Sequence, residues 1–370
     1  GDVVDVQLTR VKKNLAEAKF TAFKKHSPDR TEPFCAHFGT CGGCKWQHLS
    51  YEAQTRFKQK TVLDALERLG HVDVSGAEPI LGSAETQYYR NKLEFTFSNK
   101  RWLEDGDMAN RDDLSMDALG FHVPGRFDKI LDIEHCYLQA EPSNAIRNAV
   151  REYALKNELS FYDLRQHEGA LRNLIIRTSS TGEIMVIVVF AYADKKEIKG
   201  LMTHLKDNFP EITSLLYIEN QKKNDTIFDQ EIVVFNGRDH IFEEMEGLRF
   251  KIGAKSFYQT NSAQAYELYK ITRDFADLKG DELVYDLYTG AGTIAQFVSK
   301  KAKKVIGVES VPEAILDAKA NAKRNNIENC HFFVGDMKVV FNDAFIAQHG
   351  QPDVVFTDPP RDGMHKEVVA

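Results

Sequence analysis

The 370-residue sequence predicts an α/β protein in which a doubly wound parallel sheet follows an α+β region. Three observations predict this fold: strands and helices alternate after residue 256, a glycine-rich turn follows the first of those strands, and strand patterns dominate residues 89–250. No apolar run reaches the roughly 18 residues that a membrane span requires. We therefore predict no membrane contact and, by default, a cytoplasmic location.

The first 60 residues combine strands, a loop and a helix. Alternation predicts strands over Val3–Val11 and Glu17–Lys24, and apolar residues at three- and four-residue steps predict a helix over 51–69. This region contains eleven Lys or Arg and six Asp or Glu, a balance of +5, although the whole chain has a formal net charge of −7. Such a basic end fits contact with a polyanion, and it equally fits a solvated charged surface.

Three cysteines lie within ten residues of one loop, at Cys35, Cys41 and Cys44. Clustered thiols in a large chain without an export signal more often bind metal than form disulfides. Gly42 and Gly43 permit the tight turn that three ligands in one loop require. The sequence therefore predicts a metal centre with sulfur ligands.

A fourth ligand would come from elsewhere in the chain. Cys136 is the natural candidate because it lies in a polar stretch, whereas Cys330 adjoins an apolar strand and has the character of a buried small hydrophobic residue. Four thiolates suit either a tetrahedral zinc site or a cubane iron–sulfur cluster. For zinc, His37 or His48 could replace Cys136.

The middle region has the pattern of an α+β domain. Short apolar and β-branched runs predict strands, and two longer amphipathic stretches predict helices. The strands are Leu93–Phe97, Leu174–Thr178, Ile184–Phe190 and Ser214–Glu219, and the helices are Asn144–Asn157 and Lys195–Asn208.

The C-terminal region alternates strand and helix at the spacing of a parallel sheet. The strands are Leu283–Leu287, Val305–Val308, His331–Val334 and Val354–Thr357, and a helix is predicted over Pro312–Asn325. Residue 370 falls inside the next predicted helix, so we expect a further C-terminal part of this sheet outside the sequence.

A glycine-rich turn and an acid predict an adenosine-containing ligand at this sheet. Gly290 and Gly292 follow the first strand, where glycine lets the backbone approach a ligand closely. Glu309 ends the second strand, nineteen residues after Gly290, where a carboxylate can accept hydrogen bonds from both ribose hydroxyls. These features fit NAD and S-adenosylmethionine equally.

The end of the fourth strand favours S-adenosylmethionine. It carries Asp358-Pro359-Pro360-Arg361, a stiff turn that holds a carboxylate where it can accept a hydrogen bond from a base N–H. Amino-group methyltransferases have a related turn with Tyr or Phe in the fourth place, and Arg361 removes that stacking role. Ser256–Asn261 places aromatic and amide side chains together, which suits a flat nitrogenous ring or, equally, a strand end with a helix cap.

Together and in this order, these elements resemble the family of RNA uracil-C5 methyltransferases that carry a 4Fe-4S iron–sulfur cluster. The similar segments are CAHFGTCGGCKWQHLSYEAQTRFKQK at 35–60, GAKSFYQTN at 253–261, DLYTGAGTIAQ at 286–296, VIGVE at 305–309 and DPPRDG at 358–363. The resemblance implies a class I S-adenosylmethionine-dependent methyltransferase sheet, an α+β central domain with an iron–sulfur loop, and a partial N-terminal β-barrel of the TRAM or OB-like kind. The implied domains are 1–32 for the partial barrel, 33–46 with 79–255 for the central domain, and 47–78 with 256–370 for the methyltransferase domain.

Carried over by position, the resemblance assigns site residues. The cluster ligands would be Cys35, Cys41, Cys44 and Cys136. The S-adenosylmethionine site would contain Gln259, Tyr288, Gly290, Glu309, Asp336 and Asp358. Phe257 and Asp358 would contact the target uracil.

In this family a cysteine after the DPPR turn adds to C6 of uracil, and a glutamate near the C-terminus removes the C5 proton. Neither stretch follows Arg361 here, so we expect residues 1–370 to bind donor and RNA without turnover. The implied substrate is RNA, with 23S ribosomal RNA favoured over the T-loop of tRNA by the cluster loop and the TRAM-like end, and the implied assembly is a monomer. Two other classes stay open: a non-catalytic iron–sulfur RNA-binding protein and a zinc-containing dehydrogenase that binds NAD.

Overall fold

The computed structural model describes residues 1–104, 106–107, 114–361 and 363–369. At the N-terminus, β1 (Val3–Lys12) and β2 (Leu15–Lys25) form an antiparallel hairpin, close to the predicted strand ends. Partners such as Val6 and Phe20 place apolar side chains opposite each other, and every residue of both strands is exposed. This hairpin is two-stranded, so the predicted partial barrel stays a prediction.

The first helix, α1 (Tyr51–Arg68), follows the cysteine loop and agrees with the predicted helix. The Ser50 hydroxyl caps it by accepting a hydrogen bond from the Ala53 N–H at 3.2 Å. The Ser50 N–H donates to the Asp29 carbonyl at 2.9 Å, which ties the start of the helix to the end of the hairpin region. The cysteine loop is therefore anchored at both ends by backbone contacts.

A seven-stranded sheet occupies the middle of the chain, in the order β5-β4-β3-β6-β7-β8-β9. Only the β7–β8 pair is parallel within it. Its strands are β3 (Lys92–Ser98), β4 (Ala118–Val123), β5 (Arg126–Asp132), β6 (Leu171–Thr178), β7 (Ile184–Phe190), β8 (Ile212–Glu219) and β9 (Val233–Gly237), and its helices are α2 (Ser143–Lys156) and α3 (Lys195–Asn208).

Both faces of this sheet are buried. Because side chains alternate along a strand, Leu174 and Val186 pack into a core with α2 and α3, whereas Ile175 and Met185 pack into a second core on the opposite face. Every residue of β7 is buried, which explains why its sequence is one continuous apolar run.

The second core joins the seven-stranded sheet to the C-terminal part of the chain. The hairpin of β10 (His240–Met245) and β11 (Leu248–Gly253) contributes Phe250, and the parallel sheet contributes Val284 and Phe356 to the same cluster as Ile175. The two sheets thus share one continuous hydrophobic core, while the domain boundaries given above stay a prediction.

The C-terminal sheet is parallel, in the order β14-β13-β12-β15, as the alternation of strands and helices predicts. Its strands are β12 (Leu283–Leu287), β13 (Lys304–Glu309), β14 (Cys330–Val334) and β15 (Val354–Thr357). The helices of this region are α4 (Ser262–Ala276), α5 (Thr293–Val298), α6 (Pro312–Arg324), α7 (Met337–Val340), α8 (Asp343–His349) and α9 (Lys366–Val369). In the described part of the chain, no helix has the length and apolar character needed to cross a membrane.

Candidate functional site

The turn after β12 brings three residues into the left-handed backbone conformation. Tyr288, Gly290 and Gly292 have φ values of 65°, 54° and 75°. A Cβ at Gly292 would lie 2.8 Å from Cζ of Phe332, so only glycine fits there, whereas a Cβ at Gly290 would meet no atom within 4 Å. The turn is therefore packed against the sheet at Gly292 and open to an approaching ligand at Gly290.

Glu309 closes this turn from the neighbouring strand. The Gly290 N–H donates to Oε2 of Glu309 at 3.1 Å, so the predicted turn and the predicted acid are in direct contact. Oε1 of Glu309 accepts from the Val311 N–H and the Ser310 hydroxyl, each at 3.0 Å. The Ser310 hydroxyl is exposed and can rotate away, which would free Oε1 for a ribose hydroxyl.

Asp286 lies beneath the turn, and sequence analysis did not single it out. One carboxylate oxygen accepts from the Thr289 hydroxyl and from the Ala295 N–H, and the other has no partner among the described residues. Burial raises the pKa of Asp286 to about 7, and the nearby charges of Asp358 and Glu309 add to the rise. The signal in the sequence was a charged residue inside an otherwise apolar buried strand.

The other two predicted acids lie at the same edge of the sheet. The Asp358 N–H donates to the Leu287 carbonyl at 3.5 Å, and its exposed carboxylate lies close enough to affect the pKa of Asp286. Asp336 caps α7 by accepting from the Lys338 N–H at 2.9 Å, and the neighbouring Gly335 N–H donates to the Glu309 carbonyl at 2.8 Å. Residues at or just after the carboxyl ends of four adjacent parallel strands thus lie at one edge of the sheet.

The segment 256–261 is held by the seven-stranded sheet. The Asn91 side-chain amide donates to the Gln259 carbonyl and to the Ser262 hydroxyl, each at 2.8 Å, and the Asn91 N–H donates to the Thr260 carbonyl at 2.8 Å. The Phe257 side chain is 74% exposed. Among the described residues, no hydrogen bond joins the side-chain amide of Gln259 to the acids at the sheet edge.

The four predicted cluster cysteines line one cavity of about 770 Å³. All four are free thiols. Burial and, to a smaller extent, the charges of Cys44, Cys136 and Cys35 together raise the pKa of Cys41 to about 11. A soft cation in the cavity would reverse that effect, because it would favour the thiolates. Across the described ranges, no three His, Cys, Asp or Glu side chains are grouped as ligands of a single metal ion.

The two glycines of this loop meet different demands. A Cβ at Gly42 would lie 2.5 Å from the carbonyl oxygen of His122, to which the Gly42 N–H donates at 3.1 Å. A Cβ at Gly43 would reach only normal contact, 3.4 Å from Sγ of Cys41. The loop can therefore lie against β4 only with glycine at position 42.

Cys330 is separate from this cavity. It is buried on β14, where its thiol donates to the Ala295 carbonyl at 3.5 Å, and burial raises its pKa to about 12. Those surroundings agree with its predicted role as a small core residue.

Comparisons with known proteins agree with the geometry. Residues 278–360 match a family model described as a methyltransferase domain. The whole chain aligns with 82% of an uncharacterized RNA methyltransferase of Bacteroides thetaiotaomicron at 60% identity. It also aligns with 81% of an uncharacterized RNA methyltransferase of Porphyromonas gingivalis at 56% identity. The whole chain also superposes on 79% of the tRNA (uracil-54, C5)-methyltransferase of Pyrococcus abyssi in complex with S-adenosyl-L-homocysteine, with a TM-score of 0.72 and 25% identity.

Proposed function

Because this chain belongs to the family of RNA methyltransferases, we propose that it transfers the methyl group of S-adenosylmethionine to C5 of a uridine in RNA. The observation that carries the proposal is the meeting of Gly290, Glu309 and Asp358 at one edge of the parallel sheet, next to the stiff Asp358-Pro359-Pro360 turn. The similarity to the uracil-C5 enzyme of Pyrococcus abyssi over the full length of the chain supports the choice of base and atom.

The methyl donor would occupy the open side of the glycine turn. Glu309 accepts hydrogen bonds from the ribose hydroxyls, the backbone at Tyr288 and Gly290 approaches the donor, and Asp336 lies near the adenine. Gln259 contributes from the segment 256–261. The unpartnered carboxylate oxygen of Asp286 is a further acceptor for a donor group of the ligand.

C5 of uracil is a weak nucleophile, and it gains enolate character when a thiolate adds at C6. C5 then attacks the sulfonium methyl group, S-adenosylhomocysteine leaves, a base removes the C5 proton, and the thiolate is expelled. Because C5 cannot be reached within a stacked helix, the uridine is extruded from the RNA. Asp358 accepts a hydrogen bond from the uracil imide, and the exposed ring of Phe257 lies beside the base.

None of the five cysteines at described positions suits the role of the nucleophile. Cys330 is buried and protonated at neutral pH, and the other four share the cavity next to β4. Residues 1–370 alone should therefore bind S-adenosylhomocysteine and RNA without methylating the RNA. A tritiated-methyl transfer assay on this segment checks the expectation, and turnover would refute it.

Cys35, Cys41, Cys44 and Cys136 hold a 4Fe-4S cluster in this proposal. The four cysteines line one cavity, which supports this assignment. They also lie close enough together for the charges of Cys44, Cys136 and Cys35 to raise the pKa of Cys41. The thiolates of a cubane bind four different iron atoms, so they are spread more widely than the ligands of one ion. The cluster supplies structure to the loop and positions RNA, because methyl transfer moves no electrons overall.

An absorption spectrum of the anaerobically purified protein distinguishes the cluster from zinc. A broad shoulder at about 400 nm, with matching iron and sulfide content, is expected. A colourless protein with one bound zinc ion would refute the cluster, and NAD binding by that protein would favour the dehydrogenase alternative.

Two RNA targets follow from different observations. The cysteine loop together with the basic N-terminal hairpin favours 23S ribosomal RNA, and the similarity to a tRNA enzyme favours a T-loop uridine of tRNA. Mass spectrometry of both RNAs from a strain that lacks the gene decides, because 5-methyluridine should disappear from one position in one of them. If every 5-methyluridine persists, the protein is a non-catalytic RNA-binding member of the family.

A further inference from the structure

Two basic side chains lie directly opposite each other, one at the start of β3 and the other near the end of β6. Lys92 on β3 pairs with Arg177 on β6, and cross-strand partners present their side chains on the same face. Like charges in this arrangement repel each other and destabilise the sheet. Burial lowers the pKa of Lys92, and the charges of Arg177 and of Arg90, a third cation nearby, lower it further.

The protein compensates little of this charge. Glu94 is the one carboxylate near both cations among the described residues, 3.9 Å from the Lys92 ammonium, and its side chain is 42% exposed. Arg177 is only 6% exposed, and its Nε has no partner among those residues. Burial lowers the pKa of Arg177 to about 10, which reflects the cost of holding the charge there.

The pair lies next to the segment 256–261. A guanidinium nitrogen of Arg177 donates to the Ser256 carbonyl at 2.8 Å, one residue before Phe257. Asn91, the neighbour of Lys92, holds the Gln259 and Thr260 carbonyls. This partly compensated positive charge therefore adjoins the segment that would contact both the methyl donor and the extruded base.

We infer that Lys92 and Arg177 form a binding site for a phosphodiester of the RNA strand beside the extruded uridine. The inference rests on the proposed function and adds a positioning site to it. A phosphate between the two cations would remove their repulsion and give each a charge-assisted hydrogen-bond acceptor. Extruding a nucleotide requires that the flanking backbone be held, and phosphate contacts commonly fix the register of a nucleic acid.

The Lys92→Met variant tests this site because stability and RNA binding should change in opposite directions. Removing an unneeded like charge should raise Tm, whereas RNA affinity should fall about tenfold, as expected for one lost charge-assisted hydrogen bond. The slope of log affinity against log salt should fall by about 0.7, the value for one phosphate of a single strand. Fluorescence anisotropy with labelled oligouridylate and bulk tRNA over a range of KCl concentrations measures both quantities.

Lys251→Met is the matched control. Lys251 lies on β11, its side chain is 31% exposed against 32% for Lys92, and its ammonium is 3.1 Å from the Asp239 carboxylate. Because this lysine has a full partner, its loss should not raise Tm, and RNA affinity and the salt slope should stay as in the wild type.

Three results would overturn the inference. One is a lower Tm with unchanged RNA binding in Lys92→Met, which would show a structural role. Another is weaker S-adenosylhomocysteine binding, measured by calorimetry, which would assign the cations to the donor. The third concerns both cations together. If Arg177→Lys folds with the wild-type Tm, and if neither Arg177→Lys nor Lys92→Met changes the RNA affinity or the salt slope, the two residues do not bind a phosphate. If the RNA effects appear but no RNA is methylated in the cell, the phosphate site stands and the proposed reaction fails.

Discussion

Asp286 carries a carboxylate where water does not reach it. The neighbours of that carboxylate satisfy one oxygen and leave the other without a hydrogen bond among the described residues. A buried acceptor of this kind destabilises the free protein and favours binding of a ligand that donates to it. Asp286 therefore couples binding of the methyl donor to the stability of the glycine turn.

We expect Asp286→Asn to remove one pH dependence of stability. The folded-state pKa of about 7 lies above the ordinary value of 3.8, so the folded protein holds this proton more tightly than the unfolded chain. The resulting stabilisation is present below the ordinary pKa and is lost as the pH rises through about 7. Chemical denaturation from about pH 4 to pH 8 should show the free energy of unfolding of the wild type falling relative to that of the variant. Parallel curves for the two proteins would contradict the assignment.

Glu309→Gln should weaken S-adenosylhomocysteine binding at least about tenfold, the loss expected for one or two hydrogen bonds. The carboxylate accepts from the Gly290 and Val311 N–H groups through different oxygens, and an amide can offer an acceptor to only one of them. Calorimetry measures the affinity. Glu313→Gln, an exposed change in the first turn of α6, is the control and should bind as the wild type does.

At the scale of single elements, the position of the cysteine loop against β4 requires glycine at Gly42 but not at Gly43. Gly42→Ala would push a methyl group against the His122 carbonyl, so the loop should leave β4 and the protein should lose most of its iron and its absorption at about 400 nm. Gly43→Ala, which meets only normal contacts, should keep both. Equal iron content in the two variants would show that contact with β4 does not position the cysteines.

The strands of the parallel sheet could be predicted because each is a short apolar run between turn residues. Leu283–Leu287 and Val354–Thr357 agree with the prediction at both ends. The order of the seven-stranded sheet could not be predicted, since β3 pairs with β6 across more than seventy residues and local patterns do not encode distant partners. Lys92 and Arg177 were missed for the same reason, because their significance arises only from that pairing.

The acids of the candidate site were predictable for a related reason. Glu309 ends a parallel strand, Asp336 and Asp358 each follow one, and parallel strands end at a common edge. Asp286 was missed because its importance depends on burial and on an unpartnered oxygen, which no spacing reveals.

At the scale of the whole molecule, the core shared by the two sheets should make unfolding cooperative. Phe250→Ala removes a buried ring from that core and should cost about 3–5 kcal/mol of unfolding free energy. Denaturation followed by near-ultraviolet circular dichroism and by amide exchange in β7 and β12 should give coincident transitions at lower denaturant for the variant. Phe228→Ala, at an exposed position, should change neither transition. Separate transitions for the two sheets would show that the core does not couple them.

Buried side chains of β7 and β12 pack in one core, which holds the two sheets in a fixed arrangement. On binding, the RNA therefore changes its conformation more than the protein does. We expect S-adenosylhomocysteine and RNA to bind in either order, with the Kd of one unaffected by the other, and calorimetry in the presence and absence of oligouridylate would reveal any coupling. The free energy needed to unstack each uridine would then determine which uridine is methylated. A uridine in a bulge or open loop would be modified ahead of an identical sequence locked in a duplex.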